Sequence, residues 1–166
     1  MMQVTQIMKD GERTVLELPD GNRLELLSPS AEDAYCVLRG TIPSYGGVPL
    51  HSHADAESFY VLSGEAEALV QTAGSLDWQR LRPGDFIHIP AGAKHAWRNL
   101  SSDPVSALIT CTEKLGRALR EMAQITGENG MQFPSPAAFQ RLVEISERYG
   151  YWFGNREENA AVGIEL

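Results

Sequence analysis

Four residues of this 166-residue chain have the types and spacing of a metal-binding set: His51, His53, Glu57 and His95. In a β-strand alternate side chains share a face. His51 and His53 are therefore expected to point the same way, with Cα atoms roughly 7 Å apart, close enough for two imidazoles to converge on one ion. Ala54, Asp55 and Ala56 leave room for a short turn that returns the Glu57 carboxylate beside them. His95 must arrive from a distant segment. Residues 84–99 read as a strand, a turn bounded by Pro90 and Gly92, and a second strand that carries it. A lone H-x-H pair can equally be a hydrogen-bonded core pair or a surface coincidence, whereas four donors of these types point to one metal ion.

Three imidazoles and one carboxylate form a mixed nitrogen and oxygen set. It suits a single divalent transition metal (iron, manganese, nickel, copper, cobalt or zinc) without choosing among them. If Glu57 coordinates an octahedral ion, two positions stay open for other ligands; if it swings free, it becomes a carboxylate base beside the ion. Glu57 is thus a candidate catalytic residue as well as a candidate ligand. By alternation from Glu57 and His95, the side chains of Phe59, Val61 and Trp97 share their faces. That gives either an aromatic-walled pocket for a small-molecule substrate or an ordinary core. Asn99 falls on the His95 face in a structural role, and His88, alternating with Phe86, is expected to be packed or solvated.

These residues fall into two motifs. The chain resembles the cupins, whose first motif is G-x5-H-x-H-x3-E-x6-G and whose second is G-x5-P-x-G-x2-H-x3-N. Here the first is carried by His51, His53, Glu57 and Gly64, and the second by Gly84, Pro90, Gly92, His95 and Asn99. The second matches at every fixed position. The first departs once, because Tyr45 stands where the leading glycine belongs, with Gly46 and Gly47 after it. The resemblance implies a double-stranded β-helix, or jelly-roll barrel, with the metal inside. Within the family, the segment Phe59-Tyr60-Val61-Leu62-Ser63-Gly64 and the helical tail are similar to small bacterial proteins related to quercetin 2,3-dioxygenase. That likeness implies dioxygenase-type oxidation of a small aromatic or enolisable substrate bound at the metal. Metal-dependent isomerase or lyase chemistry and non-catalytic small-molecule binding remain the alternatives.

The elements that must position these residues are mostly strands. Turn signals at Lys9-Asp10-Gly11-Glu12 and Pro19-Asp20-Gly21-Asn22 separate alternating runs at 14–18 and 23–27. Further strands are expected at 34–42, 58–62, 66–71, 85–89, 96–100 and 105–112, and the stretch between Gly64 and Gly84 has room for a hairpin. After Thr112 the period changes. Leu115, Ala118, Leu119, Met122 and Ile125 predict one amphipathic helix, with Thr112 as N-cap and Gly127 near its stop. Ser135-Pro136 opens a second helix, whose stripe of Phe139, Leu142, Val143 and Tyr149 ends at Gly150. Residues 128–134 are the candidate linker, too short to divide the chain, so a single domain is expected: N-terminal strands 1–33, barrel 34–112 and helical tail 113–166. The aromatic run Tyr151-Trp152-Phe153 must dock, on the chain's own barrel, on a twin subunit or as a lid.

Composition narrows the partners. With 14 Lys and Arg against 22 Asp and Glu the formal charge is −8, and no basic run is present, so nucleic acid and anionic membranes are disfavoured. No apolar stretch approaches the roughly 20 residues of a membrane span, and the first residues lack a signal-peptide pattern, so a cytoplasmic location is expected. Cys36 and Cys111 lie in β-like runs without a C-x-x-C pair and are expected to be free, buried thiols. Exposed β edges and the aromatic tail favour a homodimer.

Overall fold

The turn at Pro19-Asp20-Gly21 closes as its residues predict. Gly21 takes φ 81°, its N–H bonds the Leu18 carbonyl at 3.0 Å, and the Leu18 N–H bonds the Asn22 carbonyl at 2.8 Å. It joins β1 (Val15–Glu17) to β2 (Arg23–Leu26), and the computed structural model, which describes residues 5–28, 34–129 and 135–166, continues from there in two sheets. The strands that follow are β3 (Tyr35–Ile42), β4 (Gly47–Ser52), β5 (Glu57–Ser63), β6 (Ala66–Gln71), β7 (Leu76–Leu81), β8 (Phe86–Ile89), β9 (His95–Arg98) and β10 (Val105–Thr112). One sheet has the order β1-β2-β3-β10-β5-β8. The other is β11-β4-β9-β6-β7, where β11 (Trp152–Phe153) comes from the C-terminal tail. Every strand pair among the described residues is antiparallel, giving the jelly-roll arrangement of an all-β domain with helices at its C-terminal side. The hairpin expected between Gly64 and Gly84 is β6–β7, in register from Ala66 opposite Leu81 to Gln71 opposite Leu76.

Three apolar clusters hold the layers. Inside the barrel Val61, Ala66, Ala68, Trp97 and Val105 interlock between the sheets. Leu50, Leu69 and Ala96 face the opposite way and are covered by the tail residues Trp152, Val162 and Ile164. The third cluster joins Leu24, Cys36, Leu38, Ile109 and Cys111 to the helices α1 (Glu113–Asn129) and α2 (Pro136–Tyr149). Removing each of the larger aliphatic side chains from water contributes ~1.5–3 kcal/mol, so together these clusters are what hold the sheets at a fixed spacing. Cys36 and Cys111 sit opposite each other in the register of β3 and β10, and both are free and buried.

The helices begin where their capping residues predict. Thr112 Oγ1 accepts from Leu115 N at 3.1 Å, and Ser135 Oγ accepts from Ala138 N at 3.3 Å with Pro136 in the first turn. Gly150 ends α2 in the left-handed conformation at φ 76°. Two features differ from expectation. α1 runs through Gly127 to Asn129, because a helix whose apolar stripe is already docked tolerates an interior glycine at ~1 kcal/mol. The tail also adds a third helix, α3 (Arg156–Ala161), so the expected pair is three. Residues 128 and 129 belong to α1, and the rest of the expected linker, 130–134, lies outside the described residues, as do the surroundings of the Ile125 side chain.

α3 is anchored through Asn159, which is fully buried. Its Oδ1 accepts from Leu50 N at 2.9 Å while its Nδ2 donates to Gly154 O at 2.8 Å and Asn155 O at 3.0 Å. No helix among the described residues is long and apolar enough to cross a membrane.

Candidate metal centre

His51 and His95 converge because β4 and β9 pair them directly across the ladder, beyond an irregularity that begins after Val48. Their ring centroids are 4.1 Å apart. The strand carrying His51 ends at Ser52, so His53 points inward from the loop that follows rather than from a strand face. Its backbone carbonyl is held there by Gly92 N at 2.7 Å. Glu57 comes from the other sheet, as the first residue of β5. One donor atom from each of His51, His53, Glu57 and His95 lies within 4.8 Å of the others, a group that could hold a metal ion.

Each ring is oriented by its outward nitrogen. His51 Nδ1 bonds Pro49 O at 2.7 Å, His53 Nδ1 bonds Asp55 O at 2.6 Å and His95 Nδ1 bonds Ala93 O at 2.9 Å. A carbonyl oxygen can only accept, so each Nδ1 carries the proton, and a neutral ring then presents an Nε2 lone pair inward. Glu57 Oε1 lies 2.8 Å from His95 Nε2 and 3.3 Å from His53 Nε2. Lone pairs on nitrogen and a carboxylate oxygen repel at such distances unless a positive charge sits between them. A metal ion meets that need, and without one a proton must.

The electrostatics agree. Burial pushes the His51 imidazole well below its usual range, helped by the neighbouring His95 and His53. Burial also pulls on His53, but the hydrogen bond and charge of Glu57 outweigh it and raise that ring. Burial alone would raise the Glu57 carboxyl; the hydrogen bonds and charges of His53 and His95 instead hold it well below the usual carboxylate range. Glu57 is therefore an anion at every ordinary pH, surrounded by nitrogen donors.

A second layer fixes this loop. Asp55 is buried, and its carboxylate accepts from Thr112 Oγ1 and from Tyr151 OH, each at 2.6 Å. Tyr151 also packs edge-on against His53, with centroids 5.5 Å apart, and Phe153 stacks on His51 at 5.1 Å and 14°. The C-terminal aromatics thus dock on the chain's own barrel, against the donors, through the pairing of Trp152 with Ser52 and Phe153 with His51 in β11 and β4. Sequence reasoning missed Asp55, which reads as one turn residue among three; no local pattern marks its partners, which are far along the chain.

Beside the donors lies a cavity of about 120 Å³. His51 and Glu57 form part of its wall, with Phe59, Val61 and Trp97, the three residues placed by alternation on the donors' faces. A smaller space of about 80 Å³ adjoins the same His51 and Glu57 and reaches His53, Tyr151 and Phe153. Asp20, from the β1–β2 turn, borders both. Asn99 is buried but structural: its Nδ2 donates to Pro43 O and Asp103 O, and its Oδ1 accepts from Ser101. His88 is exposed and bonds Ser58 Oγ at 2.9 Å, and it is not one of the converging donors. Tyr45, in the place of the motif glycine, adopts φ 57°, so the left-handed backbone that glycine would supply is kept by a tyrosine. Gly47 then passes so close to β9 that a Cβ would lie 2.5 Å from Trp97 O.

The family profile described as Cupin domain matches residues 38–111, the span that holds all four donors. Residues 38–111 form a cupin domain. Curated proteins similar to this chain include the dimethylsulfoniopropionate lyase DddQ of Ruegeria pomeroyi, 33% identical over 81 residues, which are 49% of this chain and 38% of that protein. Germin-like protein 1 of Brassica napus is 36% identical over 67 residues, 39% of this chain and 32% of that one. The chain thus spans well under half the length of the curated relatives it matches. Among solved structures, the polyketide cyclase RemF from Streptomyces resistomycificus superposes with a TM-score of 0.56 at 17% identity, over 66% of this chain and 80% of its own, a likeness of cupin fold.

Proposed function

We propose that this cupin is a metal-dependent enzyme acting on a small organic molecule in the cavity beside His51 and Glu57, by dioxygenase-type oxidation. The observation that carries the metal reading is the commitment of all three Nδ1–H groups to backbone carbonyls, which leaves three Nε2 atoms and Glu57 Oε1 facing one point. His51, His53, Glu57 and His95 are the proposed ligands. When bound, the ion would supply Lewis acidity and, for a redox-active metal, an electron-transfer centre. Phe59, Val61 and Trp97 shield the reacting region from water and hold the apolar body of the substrate. Glu57 stays ionised and anchors the set, and any proton taken from an enolisable substrate would be accepted by it or by Asp20, which borders the same cavity.

A second reading, metal-assisted elimination or isomerisation, is favoured by the match to DddQ, a lyase, and by the presence of two carboxylates at one cavity. Dioxygen separates the two. Turnover of enolisable or phenolic compounds followed with an oxygen electrode is expected to consume dioxygen in proportion to product. An unchanged rate under strict anaerobiosis would exclude the oxidative reading and leave the lyase or isomerase one.

A further inference from the structure

Cys36 and Cys111 are nucleophiles that the metal centre does not use. They stand directly opposite each other where β3 pairs with β10, and both are buried and free. Antiparallel partners have Cα atoms roughly 4.5–5.5 Å apart, inside the roughly 4.4–6.8 Å that a disulfide spans, and their side chains leave the sheet on the same face. Joining the two sulfurs therefore needs rotation of two side chains, with the strands left where they are.

Cys36 has the surroundings of a reactive thiol. Ser28 Oγ donates to its sulfur at 3.7 Å. From α1, Gly116 covers it without a side chain: a Cβ there would lie 3.0 Å from both Cβ and Sγ of Cys36 and 3.4 Å from Arg120 Nη1, so the guanidinium reaches the same spot. A hydrogen bond from Cys111, helped by Ser28 and by the Arg120 charge, outweighs burial and brings the Cys36 thiol down to about 6, so around neutral pH it is mostly thiolate. The same bond, with burial, pushes the Cys111 thiol up, and it keeps its proton. The way in runs beside Arg120, whose side chain is 27% exposed and pairs with Glu113 at 3.5 Å. Ion pairs so near the surface part readily.

We propose that Cys36 and Cys111 form a peroxide-responsive dithiol, a modification site in which Cys36 is oxidised first and Cys111 closes it into a reversible intrachain disulfide. The Cys36 thiolate attacks one oxygen of the hydroperoxide, the O–O bond breaks, and the sulfur keeps a hydroxyl while the other oxygen leaves as water after taking a proton from solvent. The Cys111 sulfur then attacks that of Cys36. The S–O bond breaks, and the departing hydroxide takes up the Cys111 proton as water. Two electrons pass from the sulfurs to the peroxide, and a thiol reductant reverses the change. Neither sulfur belongs to the four converging donors, so the proposal stands whether or not those donors hold a metal.

The test exposes the folded, reduced chain to hydrogen peroxide, blocks remaining thiols by alkylation, and reads intact mass and a peptide map. The wild type is expected to lose two hydrogens and both alkylation sites, with the link mapped to Cys36 and Cys111, and dithiothreitol should restore both. In Cys111→Ser, Cys36 should gain one oxygen. In Cys36→Ser, Cys111 should react about tenfold more slowly or less. A folded wild-type chain that keeps both thiols at a dose that bridges the urea-unfolded chain would overturn the proposal. So would oxygen added to the wild type without a bridge, a bridge between two chains, or faster oxidation of Cys111 than of Cys36 in the single variants. The wild-type map alone decides whether the bridge forms, even if a serine variant does not fold.

Discussion

Replacing His95 with alanine is expected to lower metal affinity by more than ~100-fold and to abolish turnover, since losing mere outer partners of a ligand already costs ~10–100-fold. His95 is almost fully buried, is paired in register with His51 and lies 2.8 Å from Glu57 Oε1. The variant removes one of three inward nitrogens and leaves the buried Glu57 carboxylate with His53 as its remaining close partner. The measurement is metal per chain by elemental analysis, on protein purified without an immobilised-metal step, with circular dichroism to confirm folding. Wild-type metal content in a folded His95→Ala chain would remove the centre from the account. Protons compete for the same nitrogens, so wild-type content should fall as pH drops through ~6.5 and below.

Asp55→Ala is expected to destabilise the fold by ~3–5 kcal/mol, read by urea denaturation, because two hydrogen bonds to a buried carboxylate are lost together at ~1.5–3 kcal/mol each. Both bonds are 2.6 Å long, and both donors, Thr112 Oγ1 and Tyr151 OH, belong to elements outside the donor loop. Thr112 also caps α1 through the same oxygen, so the change loosens the start of that helix as well. Asp55→Asn keeps an accepting oxygen for one of the two donors and should recover part of the loss. The bond from His53 Nδ1 to the Asp55 backbone carbonyl survives either change, so metal affinity should fall less than in His95→Ala. A stability within ~1 kcal/mol of wild type would mean that the Asp55 side chain does not hold the loop.

Much of the site could be read from the chain because its rules are local. Alternation placed Phe59 and Val61 on the face of Glu57, and Trp97 on that of His95; three intervening residues sufficed for the turn between His53 and Glu57; and the Ser135-Pro136 and Gly150 signals bounded α2 at both ends. What stayed hidden depends on contacts between distant segments. β11 has two residues and exists only because β4 offers an edge for it to pair with. α3 has six residues, too few to be stable alone, and is held through Asn159 on Leu50. The importance of Asp55 likewise comes from Thr112 and Tyr151, which meet it in space and lie in no window of sequence around it.

His51, His53 and His95 stand on or beside strands of one sheet, whereas Glu57 opens a strand of the other. A cation held among them would rivet the two halves of the barrel together from within, as a disulfide might in a secreted protein. Capture of the ion and completion of folding would then be linked equilibria, and resistance to unfolding would follow the free ion concentration around the protein.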